Sequence, residues 1–533
     1  RQVLRSESLA TVVYRTLREQ SRSLPPYSLA QHLGPQGHLF SGADYEIPGF
    51  YTRQGYQQYF SIQGVSLVSG ILRDNWVLGE GSSISAMDMR KLMVELEQLY
   101  FHDYAEQWTA AVGQLGLEPF DDARDSAEQL AGMTSANSPV VRMLLAVREN
   151  TRFSTLADAL PALPPAPAAG PLAGAVTVAA DVAAKGAEAV SDHVPDTAKK
   201  ALQRQFEPLH QLLDDNNGPA GSLLPLLAGL TDLQSQMAGL ASASAPDNAA
   251  YEIARQRMSG QRDALSHLRQ SAQRLPRPLD RWFNGVAENT WRLVLNDAYQ
   301  FVDKRYKYEL YRFYTRAIDR RYPFSAHSSS DVALNDFRAF FKGQGLVEQF
   351  FDNWLKPFVA GEAGNYRLRS MDGQHLPMSA AFFEQIATAQ IIRQGFFAQD
   401  PPQPQVQFTL EPYSLDSSVS RAQLRFGDQV IEYRHGPIVT TTLQWPTSIN
   451  NGRTSLVLEK AAGRPLGIEK STGPWSFFRL LDLMQVDYLS GRDVMLLQAE
   501  VGGLRANYLL TSQRTPNPFD LQVLRSFRLP AQL

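Results

Sequence analysis

The chain contains no cysteine. That removes disulfides, thiolate catalysis and cysteine-ligated zinc together. It leaves the compartment open, because cysteine-free chains occur in reducing and oxidising spaces alike. No run of about 18 apolar residues exists, so no segment reads as a membrane-spanning helix. No signal-peptide pattern is read either. The first residue is Arg1 rather than Met, so a piece of a longer protein is expected, with any targeting or membrane segment upstream. An excess of basic charge is missing too. The formal net charge is −3, whereas nucleic-acid-binding domains are normally basic, so no nucleic acid is expected as a partner.

The common catalytic signatures are equally absent. There is no H-E-x-x-H, no G-x-S-x-G and no G-x-x-x-x-G-K-[ST]. "GRPLGIEK" (463–470) carries two glycines and a lysine at the wrong spacing for a phosphate cradle. "GEGSS" (79–83) follows no buried-type strand in a βαβ unit. His32, His38, His102, His193, His210, His267, His327, His375 and His435 never pair at i, i+3 or i, i+4 with one another. They read as surface or hydrogen-bonding residues rather than ligands or bases. Asp121-Asp122 and Asp214-Asp215 sit beside Pro, Asn or Gly and read as turn and cap residues. Trp282, Trp291, Trp445 and Trp475 read as core, with interface anchoring as the alternative. No catalytic residue, metal, cofactor or small-molecule substrate is expected.

What is present is a long, ordinary globular composition, 44% hydrophobic and 20% charged over 533 residues. One core stops growing near about 250–300 residues, so two to four domains are expected. "LATVVYRTLREQ" (9–20) places Leu9, Val12, Val13 and Leu17 on one helical face. In 87–115, Leu92, Leu96, Leu99, Tyr100, Tyr104, Trp108 and Val112 form an apolar stripe. In 138–151, Ser138 is read as N-cap and Pro139 as the first helical residue. The Pro-Gly pair of "IPGFYTRQGYQQYF" (47–60) marks a turn before an aromatic-rich segment. Composition then shifts to Ala, Pro and Gly, which reads as a linker.

A long helix is expected over 279–314. Within it and just beyond, "DKRYKYELYRFYTRAIDRRYPF" (303–324) is a basic cluster. It reads as a solvated, partly aromatic-stacked helix face, with an acidic partner or phosphate surface as the alternative. An amphipathic helix at 336–358 is interrupted at Gly343 and Gly345. A small hairpin turns at Asp372-Gly373, and a helix at 380–397 is stopped by Gly395.

From about 401 the hydrophobic period changes from 3.6 to 2. Strands are expected at 404–412, at 422–433 around the Gly427-Asp428 turn, and at 438–446, 454–460, 485–501 and 504–512. The one helix expected among them, 473–484, has Pro474 in its first turn. The fold class is multidomain α+β, with largely helical N-terminal and middle regions followed by a C-terminal β-sandwich. The expected parts are a helical domain at 1–156, an Ala/Pro-rich linker at 157–200 and a helical domain with a long helix at 201–325. A helical segment with a small hairpin at 326–398 and the sandwich at 399–533, with its inserted helix, complete the chain.

"YRHGPIVTTTLQWP" (433–446) sets a histidine between a strand ending at Tyr433 and one beginning at Ile438. Gly436 supplies an unusual backbone angle and Pro437 fixes the next. His435 is then a turn residue bonded to a neighbouring carbonyl.

Nine stretches carry a resemblance: "IPGFYTRQGYQQYF", "DNWVLGE" (74–80), "LYFHDYAEQW" (99–108), "SPVVRMLLAVRENT" (138–151), "RRYPF" (320–324), "DFRAFFKGQGLVEQFFDNWLKPF" (336–358), "YRHGPIVTTTLQWP", "GPWSFFRLLD" (473–482) and "NPFDLQVLRSFRLP" (517–530). In this order the chain resembles the periplasmic region of the TssM (IcmF-like) family, a membrane-complex subunit of bacterial type VI secretion systems. The resemblance implies a periplasmic scaffold, anchored in the inner membrane of a Gram-negative bacterium by helices upstream. It implies three kinds of contact: an outer-membrane lipoprotein of the TssJ type, an inner-membrane subunit of the TssL type, and self-association into a multi-copy ring. It carries over no catalytic residue. The partner surface is expected on the polar loops 447–454 and 461–472, through Ser448, Asn450, Asn451, Arg453, Arg464, Glu469 and Lys470. The alternative is an envelope hydrolase acting on peptidoglycan, with His435 or His375 as base. It requires a nucleophile or metal and a carboxylate beside one of these histidines.

Overall fold

A computed structural model describes residues 8–77, 86–153, 197–449 and 452–533. "GEGSS" and most of the expected linker lie outside the described residues. The chain forms two compact units, Arg1–Ser244 with Arg262–Leu293 and Ala245–Gln261 with Val294–Leu533. No described helix is long and apolar enough to cross a membrane.

In chain order the main helices are α1 (Leu9–Gln20), α2 (Ser61–Val77), α3 (Ala86–Gln114), α4 (Ala123–Met133), α5 (Pro139–Thr151), α6 (Thr197–His210), α7 (Leu224–Ser242), α8 (Pro246–Met258), α9 (Ala264–Ala272) and α10 (Leu279–Arg305). α8 belongs to the second unit, and α10 counts in the first through Leu293 and in the second from Val294. Ser138 sits at the N-cap of α5 but makes no capping bond, leaving Pro139 at the first turn as the start signal.

The first unit is built on aromatics. The face of α3 that repeats every third or fourth residue buries Leu96, Tyr100, Tyr104, Trp108 and Val112. Tyr100 stacks on Phe60 at 3.9 Å between centroids and meets Phe50 edge-on at 4.9 Å. A buried phenol or indole must place its polar atom. Tyr100 Oη donates to the Phe50 carbonyl at 2.5 Å, Trp108 Nε1 to the Tyr51 carbonyl at 2.8 Å, and Tyr104 Oη to the Asn150 carbonyl. The turn carrying Phe50 and Tyr51 is thereby fixed to α3. Gly55 lies so close to it that a β-carbon would stand 2.1 Å from the Gly49 carbonyl oxygen.

In the second unit the helix at the expected 279–314 continues past α10 through a π-helical turn, Tyr306–Tyr311, into α11 (Arg312–Ala317). α12 (Leu334–Phe341) and α13 (Leu346–Phe350) are separated at Gly343 and Gly345, as the sequence indicated. α14 (Ala381–Phe396) corrects one expectation: Gly395 does not stop it. Gly395 is a buried residue of the last turn, where a β-carbon would come within 3.3 Å of Pro518. The chain leaves the helix through Gln399 and Asp400, both at positive φ. The hairpin at Asp372-Gly373 shrinks to a turn with positive φ at both residues and a single bridge, Met371 to Gln374.

The change of period marks the β-region: α14 ends at Phe396 and β1 (Val406–Leu415) follows. β2 (Val419–Phe426), β3 (Gln429–Tyr433), β4 (Thr441–Trp445), β5 (Thr454–Lys460), β6 (Leu466–Lys470), β7 (Gln485–Ser490), β8 (Val494–Val501) and β9 (Leu504–Ser512) complete it. They form two antiparallel sheets, ordered β4-β1-β9-β8-β7 and β6-β5-β2-β3. Alternate residues point inward. Phe477 of α15 (Ser476–Leu481) lies 5.3 Å from Phe408 of β1 and 4.6 Å from Phe426 of β2, and so fills the space between the sheets. Among the described residues α15 is the one helix between these strands, as expected, and α16 (Leu521–Ser526) follows β9. Pro474 precedes α15 by two residues rather than standing in its first turn.

Three of the stretches that carried the resemblance meet here. Arg479 of α15 pairs with Asp331 and lies 4.0 Å over the Tyr322 ring. Tyr322 Oη donates to Asp482 at 2.7 Å, and both Asp482 oxygens accept from Arg525 of α16 at 2.7 Å. Trp475 Nε1 donates to the Val332 carbonyl at 2.8 Å. Residues 322–332, α15 and α16 are tied into one polar joint.

Candidate partner surface

His435 has φ 59° and directs Nε2 to the Val419 carbonyl at 2.5 Å. It is a turn residue held by a carbonyl, as expected, but it carries the left-handed angle that was assigned to Gly436. β4 begins at Thr441, not Ile438, and β3 and β4 lie in different sheets. The connection therefore crosses from one layer to the other. Gln429 clamps this side: its amide donates to the Gln444 carbonyl and accepts from the Gln444 N–H, each at 3.0 Å. His375 is likewise occupied, with Nδ1 2.8 Å from the Leu376 carbonyl.

Among the described residues one group of metal-capable side chains occurs, His102, Asp103 and Glu106 on α3. Its signal in the sequence is the i, i+4 spacing of His102 and Glu106 with Asp103 beside them, which His–His spacing does not reveal. Asp103 already accepts from Tyr14 Oη at 2.5 Å and faces Arg18 at 3.8 Å, so its carboxylate serves the fold. The acidic pairs behave as expected. Asp122 caps α4 by accepting from the Asp125 N–H, and Asp214 accepts from the N–H groups of Asn216 and Gly218.

His210 is the buried histidine. Thr151 Oγ1 gives its proton to the Val147 carbonyl at 2.6 Å, so Nε2, also 2.6 Å from that oxygen, carries the ring proton. Nδ1 is left to titrate, 3.5 Å from Glu207. Burial lowers the pKa to about 4, outweighing the upward pull of Glu207. Between pH 6.5 and about 4 the unfolded chain binds the proton and the folded chain does not. Stability of the first unit therefore falls with pH across that window, by about 3 kcal/mol from this residue. His210→Gln should flatten the slope of unfolding free energy between pH 6.5 and 4.5. An unchanged slope would remove His210 as the cause.

The seven residues expected at a partner surface are divided by the structure. Asn450 and Asn451 lie outside the described residues. Ser448 and Arg453 are exposed beside the β2–β3 turn, where Gly427 N–H donates to the Arg453 carbonyl at 3.0 Å. Gly427 has φ 59°, and a β-carbon there would stand 2.3 Å from Thr447 Oγ1, so glycine seats the 447–449 segment. Glu469 and Lys470 are not loop residues: they belong to β6, an edge strand paired with β5 as Ser455↔Glu469 and Thr454↔Lys470. Arg453 Nε meets Glu469 at 2.6 Å, and Ser471 Oγ donates to the same carboxylate at 2.8 Å. Ser471 first, then Arg453, holds Glu469 below the usual carboxylate range. Gly473 N–H reaches the Gly452 carbonyl at 3.3 Å. Ser448, Arg453, Glu469 and Lys470 thus share one end of the β5–β6 ladder. Arg464 lies in the turn at the other end, beyond the last of five residue pairs spaced about 3.4 Å apart. Beside the shared end, Ile449 is 58% exposed, an apolar contribution that polarity-based selection passed over.

Comparison with known proteins gives this architecture a family. Residues 1–152 match the IcmF-related family (intracellular multiplication and human macrophage-killing), 297–401 the type VI secretion protein IcmF helical domain, and 408–514 the type VI secretion protein IcmF C2-like domain. Three parts of one protein type occur in order and together match more than half of the chain. The chain belongs to the IcmF family. A curated relative, type VI secretion system component TssM1 of Pseudomonas aeruginosa, is 26% identical over the whole of this chain. The chain spans about half of that relative's length, 49%. Two solved structures share the fold. A chain of a type VI secretion system membrane core complex superposes with TM-score 0.69 at 20% identity, covering 99% of both chains. A type VI membrane complex chain gives TM-score 0.68 at 19% identity, covering 98% of this chain and 93% of its own.

Proposed function

We propose that the chain is the periplasmic part of a structural scaffold in a type VI secretion membrane complex, linking the inner membrane to an outer-membrane lipoprotein, and that it performs no catalysis. The observation that carries this reading is the ordered succession of three IcmF regions, two of them named for type VI secretion. Tyr100, Tyr104, Trp108 and Trp475 spend their polar atoms on backbone carbonyls, which suits a rigid framework. The hydrolase alternative gains no support, since His435 and His375 each face a carbonyl. The partners proposed are a lipoprotein of the TssJ type, an inner-membrane subunit of the TssL type, and further copies of the chain in a ring. The lipoprotein site is proposed at Ser448, Arg453, Glu469 and Lys470, with Asn450 and Asn451 in the same loop. Arg464 forms a separate contact at the far end of the hairpin.

The test is titration of the whole 533-residue chain with the soluble domain of the cognate lipoprotein. Binding with Kd below about 10 µM is expected, with a loss of about tenfold in Arg453→Ala/Glu469→Ala. No binding removes the lipoprotein link. Binding indifferent to the double variant moves the site elsewhere.

A further inference from the structure

Beyond the β-sandwich, one strongly charged face is left uncompensated. Arg312 and Arg316 stand one turn apart on α11, and Arg320 follows just past its end. Four helical residues advance about 6 Å, so the first two guanidinium groups line one exposed strip. Tyr308, 69% exposed, lies one turn earlier. Neighbouring cations are paired: Arg305 with Glu309 at 3.3 Å, Lys307 with Asp303 at 2.7 Å, and Lys304 with Asp247 at 2.8 Å. Among the described residues, by contrast, Arg312 and Arg316 have no ion-pair partner. Arg316 only overlies the Phe313 ring at 5.4 Å, and Arg320 reaches its neighbour Asp319 at 4.0 Å with 93% of its side chain exposed. Arginine and tyrosine are the residue types that dominate binding energy at protein interfaces. Charges suited to the C-terminal end of a helix explain part of the strip, but not an exposed aromatic at its head.

The first unit presents the opposite charge. Glu118, Asp121, Asp122 and Glu128 are exposed around the start of α4, with Arg124 as the one cation among them. We propose that the Tyr308–Arg320 strip of one copy docks on the Glu118–Glu128 surface of a second copy of this chain. Two different surfaces then meet, a heterologous contact that propagates from copy to copy and closes into a ring if the rotation permits. The inference rests on the self-association proposed above and assigns residues to it.

These 533 residues bring no cysteine of their own to the test. Two differently tagged full-length copies are produced in the assembled complex, one with Arg316→Cys and the other with Asp121→Cys, and treated with a short bis-maleimide. A mixed dimer well above that of Gln256→Cys with Asp121→Cys is expected. In a second arm, Arg312→Glu/Arg316→Glu weakens co-purification of the tagged copies by about tenfold, and adding Glu118→Lys/Asp121→Lys in the partner copy restores it. Copies that co-purify without the cross-link or the restoration overturn this contact and leave self-association standing. Copies that never co-purify overturn the self-association reading and this inference with it. If the reversal instead abolishes binding to vesicles rich in anionic lipid while copy-to-copy association is untouched, the strip serves a membrane and the second-copy assignment is wrong.

Discussion

Arg479→Ala should destabilise the second unit by about 3–5 kcal/mol, because it removes one partner of a largely buried ion pair and leaves the other charged. The exposures are 13% for the Arg479 side chain and 15% for Asp331. Arg479 also donates to the Ser328 carbonyl at 2.8 Å and covers the Tyr322 ring. Its loss therefore strips a counterion, a carbonyl donor and a cation–π contact at once. Among the described residues Asp331 Oδ2 has no hydrogen-bond partner even in the intact joint, and both side-chain bonds to Oδ1 come from Arg479. The double variant Arg479→Met/Asp331→Leu should recover most of the loss, since apolar residues of similar volume avoid the stranded charge. Two units preclude a single two-state analysis. The measurement is therefore denaturant-dependent amide exchange, read in β1–β9 for the second unit and in α3 for the first. Protection should fall in the strands and stay constant in α3. A loss below about 1 kcal/mol would show the joint to be no stronger than a surface pair.

The parts of the fold legible in the sequence are those written in local periodicity. α1, β5 and β9 have the expected boundaries, and Gly427-Asp428 joins β2 to β3 as a two-residue turn. The four tryptophans singled out are buried. Errors arise where a residue's role is set by a distant neighbour. Gly395 has the composition of a helix stop, yet it is small because Pro518 packs on it. The left-handed angle falls on His435 rather than Gly436 because the Val419 carbonyl anchors the imidazole. α16 is six residues long, too short for a period of 3.6 to register. The candidate surface was half legible for the same reason. Residues 461–472 read as a polar loop, since Gly463, Pro465 and Gly467 mask the alternation of Leu466 and Ile468, whereas pairing with β5 makes 466–470 a strand. Once that register is known, Arg453 and Glu469 are partners and Arg464 is not.

Trp475→Ala is the other substitution with a large expected effect, about 3–5 kcal/mol against the second unit. Trp475 is fully buried, with ring centroids 4.8 Å from Trp445, 5.2 Å from Phe478 and 5.3 Å from Phe337. It thus joins a strand of the five-stranded sheet, the inserted helix and α12 in one cluster. Truncation removes the apolar area, leaves a cavity among rigid rings that cannot collapse into it, and deprives the Val332 carbonyl of its donor. Trp475→Phe separates the terms: most of the ring area stays, the hydrogen bond goes, and a loss of about 1–3 kcal/mol is expected. Exchange protection in β4 and α12 should fall together in both variants, because the indole is what they share. If β4 loses protection while α12 does not, the cluster is two cores that merely touch, and the helical and β-parts of this unit unfold independently. That outcome would also deny the polar joint at Arg479 its coupling role, since both contacts run between residues 322–341 and α15.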